Sequence, residues 1–139
     1  MIDDPVAFAA SWCRAWNDHD LDRVLEHFHD DVLFTSPVAA QVLPGSRGTV
    51  RGRAALRDYW TRGLELIPDL HFTVQAVFAG KDSLVIQYRN QRGHSVSEVL
   101  LFDGSRVREG HGTYLLDTAH PGAADPGNPA GLPVDLGEP

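Results

Sequence analysis

The chain has 139 residues, is 42% hydrophobic and 22% charged, and carries a formal net charge of -7. That length fits one domain with a core and a small cavity, and the acidic balance repels phosphate backbones and excludes nucleic acid as a partner. No apolar run approaches the roughly 20 residues a bilayer span needs, so no membrane is expected, and the opening MIDDPVAFAA lacks the basic start of a secretory leader, which makes a cytoplasmic location the expectation.

From Asp4 to Trp16 the large apolar residues Phe8, Trp12 and Trp16 recur every fourth position, the stripe of an amphipathic helix with Pro5 in its first turn. Cys13, the only cysteine, falls in this helix and reads as a buried, inert thiol. Leu21, Val24, Leu25 and Phe28 form a second, shorter stripe with Asp20 as N-cap. VLFTS is then a first strand stopped by Pro37. The stretch from Pro37 to Gly52 has no regular period and reads as a long loop.

RAALRDYWTRGLELI restores the helical period and ends at Pro68, which gives a third helix. Four strand-like segments follow, LHFTVQAVFAG, SLVIQYRNQ, SVSEVLLFD and RVREGHGTYLLD, joined by short turns as an antiparallel meander. The order predicts an α+β domain over 1–118, in which a cone-shaped, curved antiparallel sheet wraps around three N-terminal helices and encloses a pocket. Residues 119–139 are rich in proline and glycine and read as a C-terminal tail, with a partner contact through Leu132, Val134 and Leu136 left open.

His27 and His29 stand two apart beside Asp30 and Asp31, but a helical metal pair stands four apart, so no metal site is expected there. No glycine-rich phosphate loop, cofactor fingerprint or Ser-His-Asp order is present, and no cofactor is expected.

AWNDHDLDRVLEHFHDDVLFTSP, RGRAALRDYW and IPDLHFTV, in this order of elements, resemble the nuclear transport factor two-like superfamily, including SnoaL-like polyketide cyclases and ketosteroid isomerases. The resemblance covers roughly Asp4 to Asp117 and speaks for the fold more than for an activity. Similarity to ketosteroid isomerases implies a tyrosine, a basic aspartate and a protonated aspartate at positions that here hold Trp12, Ser36 and Glu98. A serine hydroxyl cannot take a carbon-bound proton at neutral pH and an indole only donates, so that mechanism is disfavoured. Similarity to limonene-epoxide hydrolases implies an aspartate on the last strand, where this chain has Gly112, or His111 or Thr113 if a one-residue bulge turns either inward; none is a carboxylate.

With Glu98 facing inward, strand alternation turns Val96, Leu100 and Phe102 inward too. The same alignment on the preceding strand points Val85, Gln87 and Arg89 inward, so Arg89 or Gln87 is expected opposite Glu98, and Gln87, Arg89 and Glu98 form a polar trio. Glu98 and Arg89 are thus the candidate catalytic pair, and a buried ion pair without catalytic duty is the alternative. Trp12, Trp16, Phe28, Phe34, Ser36, Trp60, Gln87 and Tyr114 are the candidate ligand-binding residues. Gly110 and Gly112, expected on the same face as Tyr114, mark either room for a ligand or a bend in the sheet. Glu109 and His111 fall on the outer face, where a homodimer contact is expected. The function these readings imply is binding of a small apolar molecule with a polar group, joined to cofactor-independent acid/base chemistry of isomerase, cyclase or lyase type. The alternative is a non-catalytic ligand-binding or dimerisation module.

Overall fold

A computed structural model describes residues 2–116; the expected tail lies outside the described residues. Helix α1 spans Pro5–Asn17: the Asp4 side chain accepts from the Ala7 amide at 3.0 Å, and one face buries Phe8, Trp12 and Trp16. Asp20 caps α2, Leu21–Leu25, through the Arg23 amide at 3.2 Å. Phe28 does not extend this helix but opens strand β1, Phe28–Thr35. The polar run His29–Asp31 sits where the pairing of β1 with its neighbour shifts register, which hides the strand's period in the sequence.

The expected loop after Pro37 is instead structured. Ser36 accepts from the Val38 amide at 3.1 Å and Pro37 takes the first helical position, so helix α3 forms over Pro37–Val42. A 3₁₀ turn over Pro44–Ser46 leads to β2, Thr49–Arg51, which pairs antiparallel with β1. Helix α4, Arg53–Leu66, follows Gly52, whose φ of +90° suits glycine at the corner. Among the described residues there are therefore four α-helices rather than three.

Strands β3 (Thr73–Gly80), β4 (Ser83–Arg89), β5 (Ser95–Asp103) and β6 (Arg106–Tyr114) form the expected meander. The curved sheet runs β2-β1-β6-β5-β4-β3 and is mixed, because β1 lies parallel to β6, with Phe34 opposite Gly110 and Thr35 opposite His111. An all-antiparallel sheet is thus corrected. Local pattern reveals hairpins but not which edge of the meander a distant first strand joins. The helices cover the inner face of the sheet, and the core fills the space between them with Trp12, Phe28, Leu56, Leu84, Ile86 and Leu100. Among the described residues no helix is long and apolar enough to cross a membrane.

Candidate functional site

The helices do not fill the concavity. A cavity of about 90 Å³ remains, several times the ~10–15 Å³ that one water requires. Its wall is aromatic: the Trp16 ring centre lies 4.9 Å from that of Trp60, and Phe28 and Phe34 meet Trp60 edge-on at 5.4 and 5.5 Å. Trp12 stacks on Phe72 at 5.7 Å. Alternation along β1 and the fourfold period of α1 bring these rings to one side, and burying them supplies much of the core's stability.

Polar groups converge within that wall. Glu98 reaches into the cavity from β5, and its Oε1 accepts a hydrogen bond from the Tyr88 hydroxyl at 3.0 Å. Ser36 lies at the end of β1, and Tyr59 and Tyr114 come from α4 and β6. A Cβ placed on Gly112 would stand 3.3 Å from Ser36 Oγ and 3.6 Å from Glu98 Oε1, so serine and carboxylate flank the same glycine. The Ser36 hydroxyl also interacts with both the Tyr59 and Tyr114 phenols. One carboxyl, one serine and three tyrosines thus share one polar patch, and among the described residues no arginine, lysine or histidine lines the cavity.

Burial pushes the Glu98 carboxyl up to about 7, although the Tyr88 hydrogen bond and the nearby His111 both favour its ionised form. The phenols move the other way from reactivity. Tyr88, Tyr59 and Tyr114 are all raised, chiefly by burial, and the Glu98 charge adds to each. At neutral pH they remain hydroxyl donors while Glu98 is poised to gain or lose a proton, a combination suited to proton transfer at an uncharged ligand.

Eight of the ten sequence-derived residues line this cavity: Trp12, Trp16, Phe28, Phe34, Ser36, Trp60, Glu98 and Tyr114. Arg89 and Gln87 do not. The β4/β5 register sets Ile86 opposite Glu98 and Arg89 opposite Ser95. Leu84, Ile86 and Tyr88 therefore face inward, while Arg89 Nη1 donates to the Gly93 carbonyl at 3.0 Å and Gln87 Nε2 to Ser95 Oγ at 3.4 Å. The expected Glu98–Arg89 pair is absent because the two side chains lie on opposite faces of the sheet. Tyr88 takes the place that reading gave to Arg89, and the Leu84, Ile86, Tyr88 alternation was its signal. Tyr59 was also missed, although it shares the inward stripe of α4 with Leu56 and Trp60.

The two inward glycines have different uses. A Cβ on Gly110 would come within 3.0 Å of the Phe34 ring, so its missing side chain makes room for packing, whereas Gly112 leaves space between Ser36 and Glu98. On the outer face His111 Nε2 meets Glu109 Oε2 at 2.8 Å and its Nδ1 meets Thr35 Oγ1 at 2.5 Å.

Residues 9–114 match the model of the SnoaL-like domain. Among solved structures, the chain is similar to a SnoaL-like protein of unknown function from Burkholderia thailandensis E264 at 38% identity, with a TM-score of 0.74, covering 80% of this chain and 94% of that one. It is similar in fold to TerC co-crystallised with polyporic acid, at 16% identity and a TM-score of 0.67, with 84% and 94% of the two chains covered. It is also similar in fold to Bal32a from a soil-derived mobile gene cassette, at 20% identity and a TM-score of 0.65, covering 79% and 88%. No curated protein matches the chain.

Proposed function

This chain belongs to the SnoaL-like domain family, and from that premise we propose that it is a cofactor-independent acid/base enzyme acting on a small, uncharged, largely apolar molecule. The observation that carries the reading is Glu98, a carboxyl raised to about 7 at the polar end of an aromatic cavity whose wall, among the described residues, carries no cation. A base whose affinity for a proton matches the operating pH transfers protons most efficiently.

In this reading Glu98 takes a proton from a carbon beside a carbonyl. The electron pair moves onto the carbonyl oxygen, which the Ser36, Tyr59 and Tyr114 hydroxyls stabilise. Return of the proton to another carbon gives an isomer, and attack of the enolate carbon on a second carbonyl of the same molecule closes a ring, the C=O π pair moving onto oxygen, which takes the proton back from Glu98. Arg89 has no part in it.

The test needs no known substrate. Small cyclic ketones and enones in deuterium oxide are followed by NMR for exchange of the protons beside the carbonyl. Exchange above the buffer rate that Glu98→Gln abolishes, with binding retained, is the expected result; equal exchange by both proteins contradicts it. The Tyr88 bond that already occupies one carboxylate oxygen favours a second reading, a ligand-binding module without turnover, for which binding without exchange is the mark.

A second copy of the chain on the outer sheet face completes the proposal. Phe78, 58% exposed, stands in register with Val85, which pairs in turn with Val99, an apolar row that a dimer would cover. Sedimentation of wild type against Phe78→Arg tests it, a dimer that the variant dissociates being expected and a monomeric wild type contradicting it.

A further inference from the structure

Helix α4 buries Leu56, Tyr59 and Trp60, and its period carries that stripe on to Gly63, Leu64 and Ile67, which line the outer part of the cavity. The stripe calls for a bulky apolar residue at each step, yet one step is a glycine. Glycine inside a helix costs about 1 kcal/mol relative to alanine, so its presence there calls for a local reason. The usual reasons are missing. Gly63 is in ordinary helical conformation, its carbonyl accepting from the Ile67 amide at 2.8 Å, and a Cβ built on it would meet nothing within 4 Å. The volume beside it is open, and Gly63 itself lines the cavity. Asn90 and Gln91 of the β4–β5 turn line the same cavity, and they are partly exposed, as are Gly63, Leu64, Ile67 and Leu70, so these six residues make its outer part. Asn90 Oδ1 accepts from the Arg92 and His94 amides at 3.0 Å each, which holds its side chain in place there.

We propose that Gly63 is the specificity-determining residue of the entrance: its absent side chain lets a ligand longer than the inner chamber lie across α4, with the far end reaching the Asn90 and Gln91 amides. The ligand class this defines is an uncharged, flat, elongated molecule, with one oxygen at the Glu98 end and a second hydrogen-bonding group at the rim. The inference rests on the pocket reading above, that the cavity binds a small uncharged molecule.

The experiment measures binding of phenol, para-phenylphenol and para,para-dihydroxybiphenyl to wild type, Gly63→Ala and Gly63→Leu by calorimetry. Phenol fits the inner chamber alone and is expected to bind all three proteins alike. The two biphenyls are expected to bind Gly63→Leu at least about tenfold more weakly than wild type, the effect of changing a methylene-sized volume or more in an apolar pocket, with the dihydroxy compound binding wild type more tightly than para-phenylphenol. Both variants are expected to melt above wild type, because alanine and leucine are better helix formers, so a lost biphenyl site cannot be laid to misfolding. Unchanged biphenyl binding to Gly63→Leu, or an equal loss of phenol, overturns the entrance assignment. Failure of phenol to bind wild type overturns the pocket reading itself, and the entrance falls with it.

Discussion

Tyr88 and Glu98 are diagonal neighbours on the inner face of adjacent strands, and the phenol donates to Glu98 Oε1 at 3.0 Å from the middle of an aromatic cluster. The Tyr88 ring centre lies 4.2 Å from that of Phe72 and 5.4 Å from that of Trp12, so the hydroxyl is aimed by packing. The bond favours the ionised carboxyl while burial opposes it, and the second effect is the larger.

Tyr88→Phe is therefore expected to raise Glu98 further above its present value of about 7. The rising limb of any Glu98-dependent rate should move to higher pH, and the fold should lose about 1 kcal/mol from the missing hydrogen bond. A pH profile and a denaturant melt check both. An unmoved limb would mean that the phenol does not tune the carboxyl.

Glu98→Gln should change the dependence of stability on pH. The folded-state value is raised above the ordinary 4.5, so the folded protein holds this proton more tightly than the unfolded chain does. Stability from this group is full at low pH and is lost as pH rises from about 4.5 through about 7. Glutamine removes that loss. The variant should gain on wild type by up to a few kcal/mol at pH 8 and show no such gain at acid pH; parallel melts at both values decide it.

Gly110→Ala and Gly112→Ala separate packing from pocket. A Cβ on Gly110 would press on Phe34 from 3.0 Å and lie 3.3 Å from Leu100, so a loss of about 1–3 kcal/mol from overpacking is expected. At Gly112 the nearest atom is the Ser36 hydroxyl at 3.3 Å, and the expected loss is in ligand binding more than in melting temperature. Equal destabilisation by both would contradict the division.

Arg89→Ala, in contrast, should leave both ligand binding and the Glu98 titration as they are. Its guanidinium is on the outer side, bonded to the Gly93 carbonyl, and such surface changes stay within about 0.5 kcal/mol. A shifted Glu98 titration in this variant would restore the pairing that the register excludes.

These residues also show what was legible in the sequence. The same signal, a capping side chain followed by proline, opens both α1 at Asp4-Pro5 and α3 at Ser36-Pro37. It was readable at α1 because a long apolar stripe follows, and obscured at α3 because six residues are too few to display a period. The meander followed from its short turns, the inward face of β5 from alternation once the resemblance had set Glu98 inward, and the placing of Tyr114 beside the glycines from alternation. On β4 alternation also pointed the right way, through Leu84, Ile86 and Tyr88, but an alignment one residue out of phase turned Val85, Gln87 and Arg89 inward and made Arg89 a partner for Glu98. Glu98 meets burial differently, by a hydrogen bond from Tyr88 and by a raised proton affinity. The parallel join of β1 to β6 had no local signal at all, since it depends on how the helices return the chain to the sheet.

The most direct test of the account is the titration of Glu98 itself, followed through its side-chain carboxyl by carbon NMR with and without phenol. A midpoint near 7 that moves when phenol binds is the result expected of a proton-transfer group at the inner end of a ligand cavity. A midpoint near 4.5, indifferent to phenol, would contradict it.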